Sequence, residues 1–141
     1  MRRLIKVTLL ALLLSACGPK KNEDRITKDQ LIEMFDNMSQ DSSWDFSTPM
    51  LWGYFFTDGS KERLQAAKPL LEAQGYRFVD IYLADKESPK DPDLWWLHIE
   101  KVEIHTPDSL NQRNMELYKF ADDHGLESYD GMDVGPVGTK H

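Results

Sequence analysis

From Thr27 to Val134 the hydrophobic period of the chain switches repeatedly between helical and strand spacing, and the order of the switches leaves few folds open. Leu31, Met34, Phe35 and Met38 recur at helical spacing, which predicts an amphipathic helix over Lys28–Met38. Thr27-Lys28-Asp29-Gln30 has the form of a capping box, with Ile26 and Leu31 placed as a hydrophobic staple. The aromatic density of Leu51–Thr57 (Trp52, Tyr54, Phe55, Phe56) predicts a strand. Asp58-Gly59-Ser60 then turns into a helix reaching about Gln74, with Leu64, Ala67 and Leu71 as its buried stripe. Pro69 removes one backbone hydrogen bond from that helix and is expected to kink it, and Gly75 is placed to end it.

Tyr76–Ala84 alternates as a strand, with Val79, Ile81 and Leu83 on one face and Phe78, Asp80 and Tyr82 on the other. After the polar loop Lys86–Asp93, the segment Leu94–His105 reads as a long strand whose apolar phase changes midway. Trp95, Leu97 and Ile99 hold one phase and Val102 and Ile104 the other, so a bulge is expected near Glu100-Lys101. Thr106-Pro107-Asp108 starts a helix carrying Leu110, Leu117, Tyr118 and Ala121 and stopping at Gly125. A last strand spans about Glu127–Val134. Two βαβ-like halves joined by a hairpin loop predict an α+β fold, a ferredoxin-like βαββαβ sandwich with an extra N-terminal helix. Trp44 and Phe46, in the connector Ser39–Pro49, are expected to cover an edge of the core.

Ahead of this domain stand a basic start (Arg2, Arg3, Lys6), an apolar run through Val7–Leu14 and then Leu14-Ser15-Ala16-Cys17. A charged n-region, an apolar h-region and small residues at the junction describe an export signal. The run falls short of the ~20 apolar residues of a membrane span. Its last four residues resemble the lipobox of bacterial lipoproteins, which implies a lipid on Cys17 and a mature chain that begins there. The expected organisation is a signal peptide over 1–16, a tether over 17–25, the folded domain over 26–137 and a tail over 138–141. Gly18, where an Asp would resemble an inner-membrane retention signal, points to the periplasmic face of the outer membrane if the source is Gram-negative.

Loss of the leader takes three of the 17 Lys and Arg, leaving 14 against 24 Asp and Glu, a net charge of −10. Such acidity argues against nucleic acid as a partner, because phosphates require a basic surface. It also leaves the lipid, rather than charge, to hold the chain at an anionic membrane. Cys17 is the only cysteine, so no internal disulfide forms.

The sequence carries no GxSxG, HExxH, P-loop or calcium-loop pattern, and no cofactor or metal is expected. His98 and His105 lie on one strand, either on opposite faces or ~20 Å apart, too far to share an ion. They are expected at the surface or at a strand end, and His124 near a helix C-terminus. With helices on one side of the sheet, the other side is expected to show Phe78, Tyr82, Trp96 and one alternate set from Trp52–Phe56. Those aromatics are either covered by Trp44, Phe46 and the opening helix or bind a protein; base stacking would need the basic residues that are missing. The alternative from another class is a small periplasmic hydrolase with spatially assembled carboxylates.

Phe120-Ala121-Asp122-Asp123-His124-Gly125, followed by Ser128-Tyr129-Asp130-Gly131, resembles the C-terminal half of the RraB family, protein regulators of ribonuclease E activity. The order of elements from about Thr27 to Val134 is similar too. The resemblance implies a ferredoxin-like fold without catalytic residues that acts by binding a protein. Three features depart from the family. Met132 stands where a Trp follows Tyr-Asp-Gly, a Gly-Pro-Val-Gly ending replaces an acidic tail, and the lipobox sends the chain out of the compartment where ribonuclease E works. The expected partner is therefore an unidentified envelope protein. Phe78, Tyr82, Trp96, Tyr129, Asp130 and Gly131 are the candidate binding residues. For the last three a structural account also suffices: Gly takes φ > 0, Asp bonds neighbouring amides and Tyr caps the core.

Overall fold

The computed structural model describes residues 25–138 together with Ile5–Lys6. Cys17, the tether apart from Arg25, the leader apart from that pair, and the last three residues lie outside the described residues. The elements are β1 (Ile5–Lys6), α1 (Lys28–Asp41), β2 (Met50–Asp58), α2 (Lys61–Ala73), β3 (Arg77–Leu83), β4 (Trp95–Glu103), α3 (Pro107–Asp123) and β5 (Ser128–Gly135). The sheet runs β1-β5-β2-β4-β3, with every neighbouring pair antiparallel. Its four long strands follow β2–α2–β3–β4–α3–β5 along the chain, the ferredoxin-like α+β arrangement with α1 added in front. The two-residue β1 was not anticipated; it lies within the stretch read as an export signal.

Central placement explains the composition of β2, which is flanked by β4 and β5 and buried at all nine positions. Trp52, Tyr54 and Phe56 point from it into the helix layer and meet Leu31, Leu64, Leu71, Leu110 and Leu117. The capping box of α1 forms as expected, Thr27 Oγ1 accepting from the Gln30 N–H while Gln30 Oε1 accepts from the Thr27 N–H. Phe46 stands against Phe35 and Trp52 with ring centroids 5.2 and 6.3 Å away, and Trp44 packs on Phe46. Those aromatics therefore thicken the helix layer and do not cover the opposite sheet face. Among the described residues, the hydrophobic core and the side chains packed against it lie between Ile26 and Val134.

Two strand readings need correction. In β3, Phe78 pairs with Ile99 and Asp80 with His98, so Val79 is an extra residue. The step turns Phe78 to the helix side with Ile81, beneath Lys68 at 4.0 Å, and leaves Asp80 and Tyr82 on the far face. In β4 the expected bulge near Glu100-Lys101 is absent, since Met50↔Glu103 to Asp58↔Trp95 pair without a break. The change of apolar phase has another cause: Lys101 and Glu103 keep helix-side positions because both charges are answered there. Lys101 donates to the Gln74 carbonyl at 3.1 Å and lies over the Tyr76 ring; Glu103 is held by Arg113.

The bulge of the central sheet lies in β5. Phe55 pairs with Gly131 and Phe56 with Tyr129, so Asp130 is the extra residue, and Gly131 takes φ +105. A side chain opposes that conformation, so Gly131→Val is expected to cost about 1–3 kcal/mol. Urea unfolding should show a lower midpoint at unchanged slope; an unaltered midpoint would mean that the bulge does not need glycine.

Candidate functional site

Charge and aromatic area concentrate in two places, one on each side of the sheet. On the helix side, Glu103 at the end of β4 meets Arg113 from α3. Arg113 Nη2 donates to Glu103 Oε1 at 2.9 Å and its Nη1 reaches Oε2, which also accepts from the Tyr54 hydroxyl at 2.7 Å. His105 Nε2 lies 3.0 Å from the same carboxylate and 2.9 Å from Tyr54 Oη, while its Nδ1 lies 2.9 Å from Ser109 Oγ. The guanidinium also faces the rings of Tyr54 and Tyr76. His105 is buried at the strand end beside the helix start, not at the surface.

This environment sets the charges. Burial alone would raise the Glu103 carboxyl, but hydrogen bonds from His105, Arg113 and Tyr54 hold it at about 2. Burial pushes the Tyr76 phenol up to about 12 and Tyr54 well above its ordinary value. A serine, a histidine and a glutamate in a row have the order of a hydrolase relay, but both ends are committed elsewhere. Ser109 Oγ accepts the Thr106 N–H at 2.8 Å as half of the α3 capping box. The Glu103 carboxylate is forked to Arg113 and shared with the Tyr54 hydroxyl, so His105 is only one of three groups it serves. The cluster is a cross-brace between β4, β2 and α3.

On the far side, Tyr82 stacks on Trp96 with centroids 6.3 Å apart and planes 7° off parallel. Phe55 meets Trp96 edge-on at 6.0 Å and stacks on His98 at 4.3 Å. This row holds the expected Tyr82 and Trp96 together with Phe55 from the alternate set in Trp52–Phe56; Phe78 does not share it. His98 is buried here, contrary to the surface position expected for it. Gly53 makes the room: a Cβ on it would come within 2.8 Å of His98 Nε2 and would collide with Asp133 Oδ1. Glu100 pairs with Arg77 on the same face. Burial, then the charges of Asp80, Asp133 and Asp130, raise the Tyr82 phenol, so three carboxylates act on one end of the row. Among the described residues no helix lies on this side, and no His/Cys/Asp/Glu group could hold a metal ion.

Of the Tyr-Asp-Gly stretch, Tyr129 turns the other way, into the core. Its hydroxyl donates to Asn114 Oδ1 at 2.7 Å, and Asn114 Nδ2 reaches Met132 Sδ at 3.6 Å. Tyr129 is thus a buried cap, Gly131 the bulge and Asp130 the exposed residue between them. Sequence reasoning passed over Arg113, Asn114 and Asp133.

The brace predicts a pH dependence. A carboxyl whose folded pKa is depressed contributes stability above its unfolded value, about 4.5, and loses it as pH falls toward 2. Glu103→Gln is expected to cost about 2 kcal/mol at pH 7 and to flatten the loss of stability between pH 4.5 and 2. Urea midpoints measured across that range check both; parallel pH curves for variant and wild type would contradict the assignment.

Comparison with curated proteins gives no match. The family model described as "Regulator of ribonuclease activity B" matches residues 28–134, from the first residue of α1 to the end of the core in β5. The chain belongs to the RraB family.

Proposed function

We propose that this chain is a lipid-anchored, non-catalytic regulator that works by binding a protein of the cell envelope. The observation that carries the reading is the conjunction of an RraB domain over 28–134 with Leu14-Ser15-Ala16-Cys17 immediately ahead of it. The family supplies regulation and a protein partner. The lipobox-like stretch, with Cys17 as the lipidated residue, supplies the place, on the periplasmic face of the outer membrane if the source is Gram-negative. Among the described residues no helix is long and apolar enough to cross a membrane, so retention rests on Cys17 in this reading. The commitment of Glu103 to Arg113 supports a binding rather than a hydrolytic role.

Ribonuclease E is not the target in this reading. Inhibition is a property of surface, and surfaces are what function changes within one fold. Here Met132 is buried against Asn114, at the position where the resemblance places a Trp.

Two measurements test the proposal. Cys17→Ala should be lost from washed membranes, and equal recovery of variant and wild type would overturn the anchor. The purified domain should leave ribonuclease E cleavage unchanged at 0.15 M salt, where the Debye length is about 8 Å and long-range attraction by an acidic protein is screened. Stoichiometric inhibition at that salt would show that the family's target is kept.

A further inference from the structure

We propose that the outer edge of β5 is a docking strand for a positively charged, extended segment of the partner protein. The segment adds antiparallel to β5 with a lysine or arginine opposite Asp133; this rests on the reading of a processed, protein-binding domain given above. A sheet edge presents backbone donors and acceptors to any extended chain, and strand addition is a common mode of peptide capture. On this molecule the edge already takes one. Ile5–Lys6 pairs antiparallel along it, Ile5 opposite Val134 and Lys6 opposite Asp133. That short strand comes from a stretch whose charges are all positive (Arg2, Arg3, Lys6), and export processing before Cys17 would remove it. The edge then passes to a segment of similar chemistry.

Charge decides between occupants. Asp133 stands on the far face beside Gly53, and Asp80, Asp130 and Asp133 act together on Tyr82. A cationic side chain opposite Asp133 meets that field favourably, since opposite charges directly across a strand pair stabilise it. A second copy of this chain does not: antiparallel β5–β5 pairing would bring two sets of Asp130 and Asp133 together on a protein of net charge −10 after loss of the leader. The row Phe55–Trp96–Tyr82 continues on the same face and offers apolar and cation-π contacts to residues of the segment that reach inward.

The probe is a synthetic peptide of residues 1–7, MRRLIKV, added to the chain from Arg25 to His141, which contains every described residue of the core and whose folding is checked first by its dispersed amide spectrum. Backbone NMR should show saturable binding, with shifts along Ser128–Gly135 and slowed amide exchange on that strand. A peptide carrying Lys6→Glu should bind at least tenfold more weakly, a comparison that leaves the protein untouched. Asp133→Asn should weaken the original peptide by a similar factor. The proposal is overturned if the peptide does not bind up to about 1 mM, if the Lys6→Glu peptide binds equally well, if the shifts fall on β3, or if the domain alone dimerises through β5. None of these results depends on Cys17, so failure here is distinct from failure of the anchor in the fractionation of Cys17→Ala.

Discussion

Burial of the aromatic side of β2 is the interaction on which the other parts of the domain depend. Trp52, Tyr54 and Phe56 are fully buried, and each organises a different neighbour. Trp52 gathers Phe35, Phe46 and His105, Tyr54 closes the Glu103–Arg113 brace, and Phe56 packs between Phe120 and Tyr129. Three rings of this size bury several hundred Å², which at roughly 25 cal/mol per Å² is a large contribution from one strand. The strand end is fixed just as firmly. Asp58 is fully buried, and its carboxylate accepts the Ser60 N–H at 2.7 Å and the Glu127 N–H at 3.0 Å, joining β2 to the starts of α2 and β5.

The two sides of the sheet use their polar groups differently. Toward the helices, each buried charge is answered, Glu103 by Arg113 at one end of the sheet and Asp58 by the Ser60 and Glu127 amides at the other, so the core is closed by polar fastenings rather than by more hydrocarbon. Breaking one member of such a pair leaves the other uncompensated, which makes it a specific fastening as well as a stabilising one. On the far side Asp80, and Glu100 with its partner Arg77, stand beside the stacked rings of Tyr82 and Trp96. One face therefore holds the fold together, while the other keeps its charges beside exposed strand edges and stacked rings.

Much of the fold was legible because local signals and tertiary packing agree. Thr27 and Thr106 cap the helices they were expected to cap, Ser60 of the expected turn caps α2, Gly75 and Gly125 end two helices at φ +95 and +66, and the stripes of α1, α2 and α3 are buried as their spacing requires. The errors share one physical origin, a change of strand phase. Extra residues at Val79 and Asp130 were invisible because nothing in the alternation of β3 marks the first, and Gly131 marks the second only through its freedom of φ. In β4 the apolar phase moved without a bulge, because Lys101 and Glu103 find partners that lie far off in sequence. Asn114 left a readable trace, a polar residue four positions after Leu110 and three before Leu117 in an otherwise apolar stripe. Asp133 left none, since its place over Gly53 depends on the pairing of two distant strands.

The pairing of β2 with β5 also fixes when the domain can finish folding. The central strand ends at Asp58, yet one of its two partners begins only at Ser128, after both helices and both other long strands have been made. During synthesis β2 therefore waits for about 70 further residues with a bare side, nine residues long and rich in aromatics, which is the composition most prone to pair with the wrong chain. Long-range closure of this kind slows folding. A product truncated before Ser128 would keep that side exposed permanently, so the last strand protects the solubility of the whole domain.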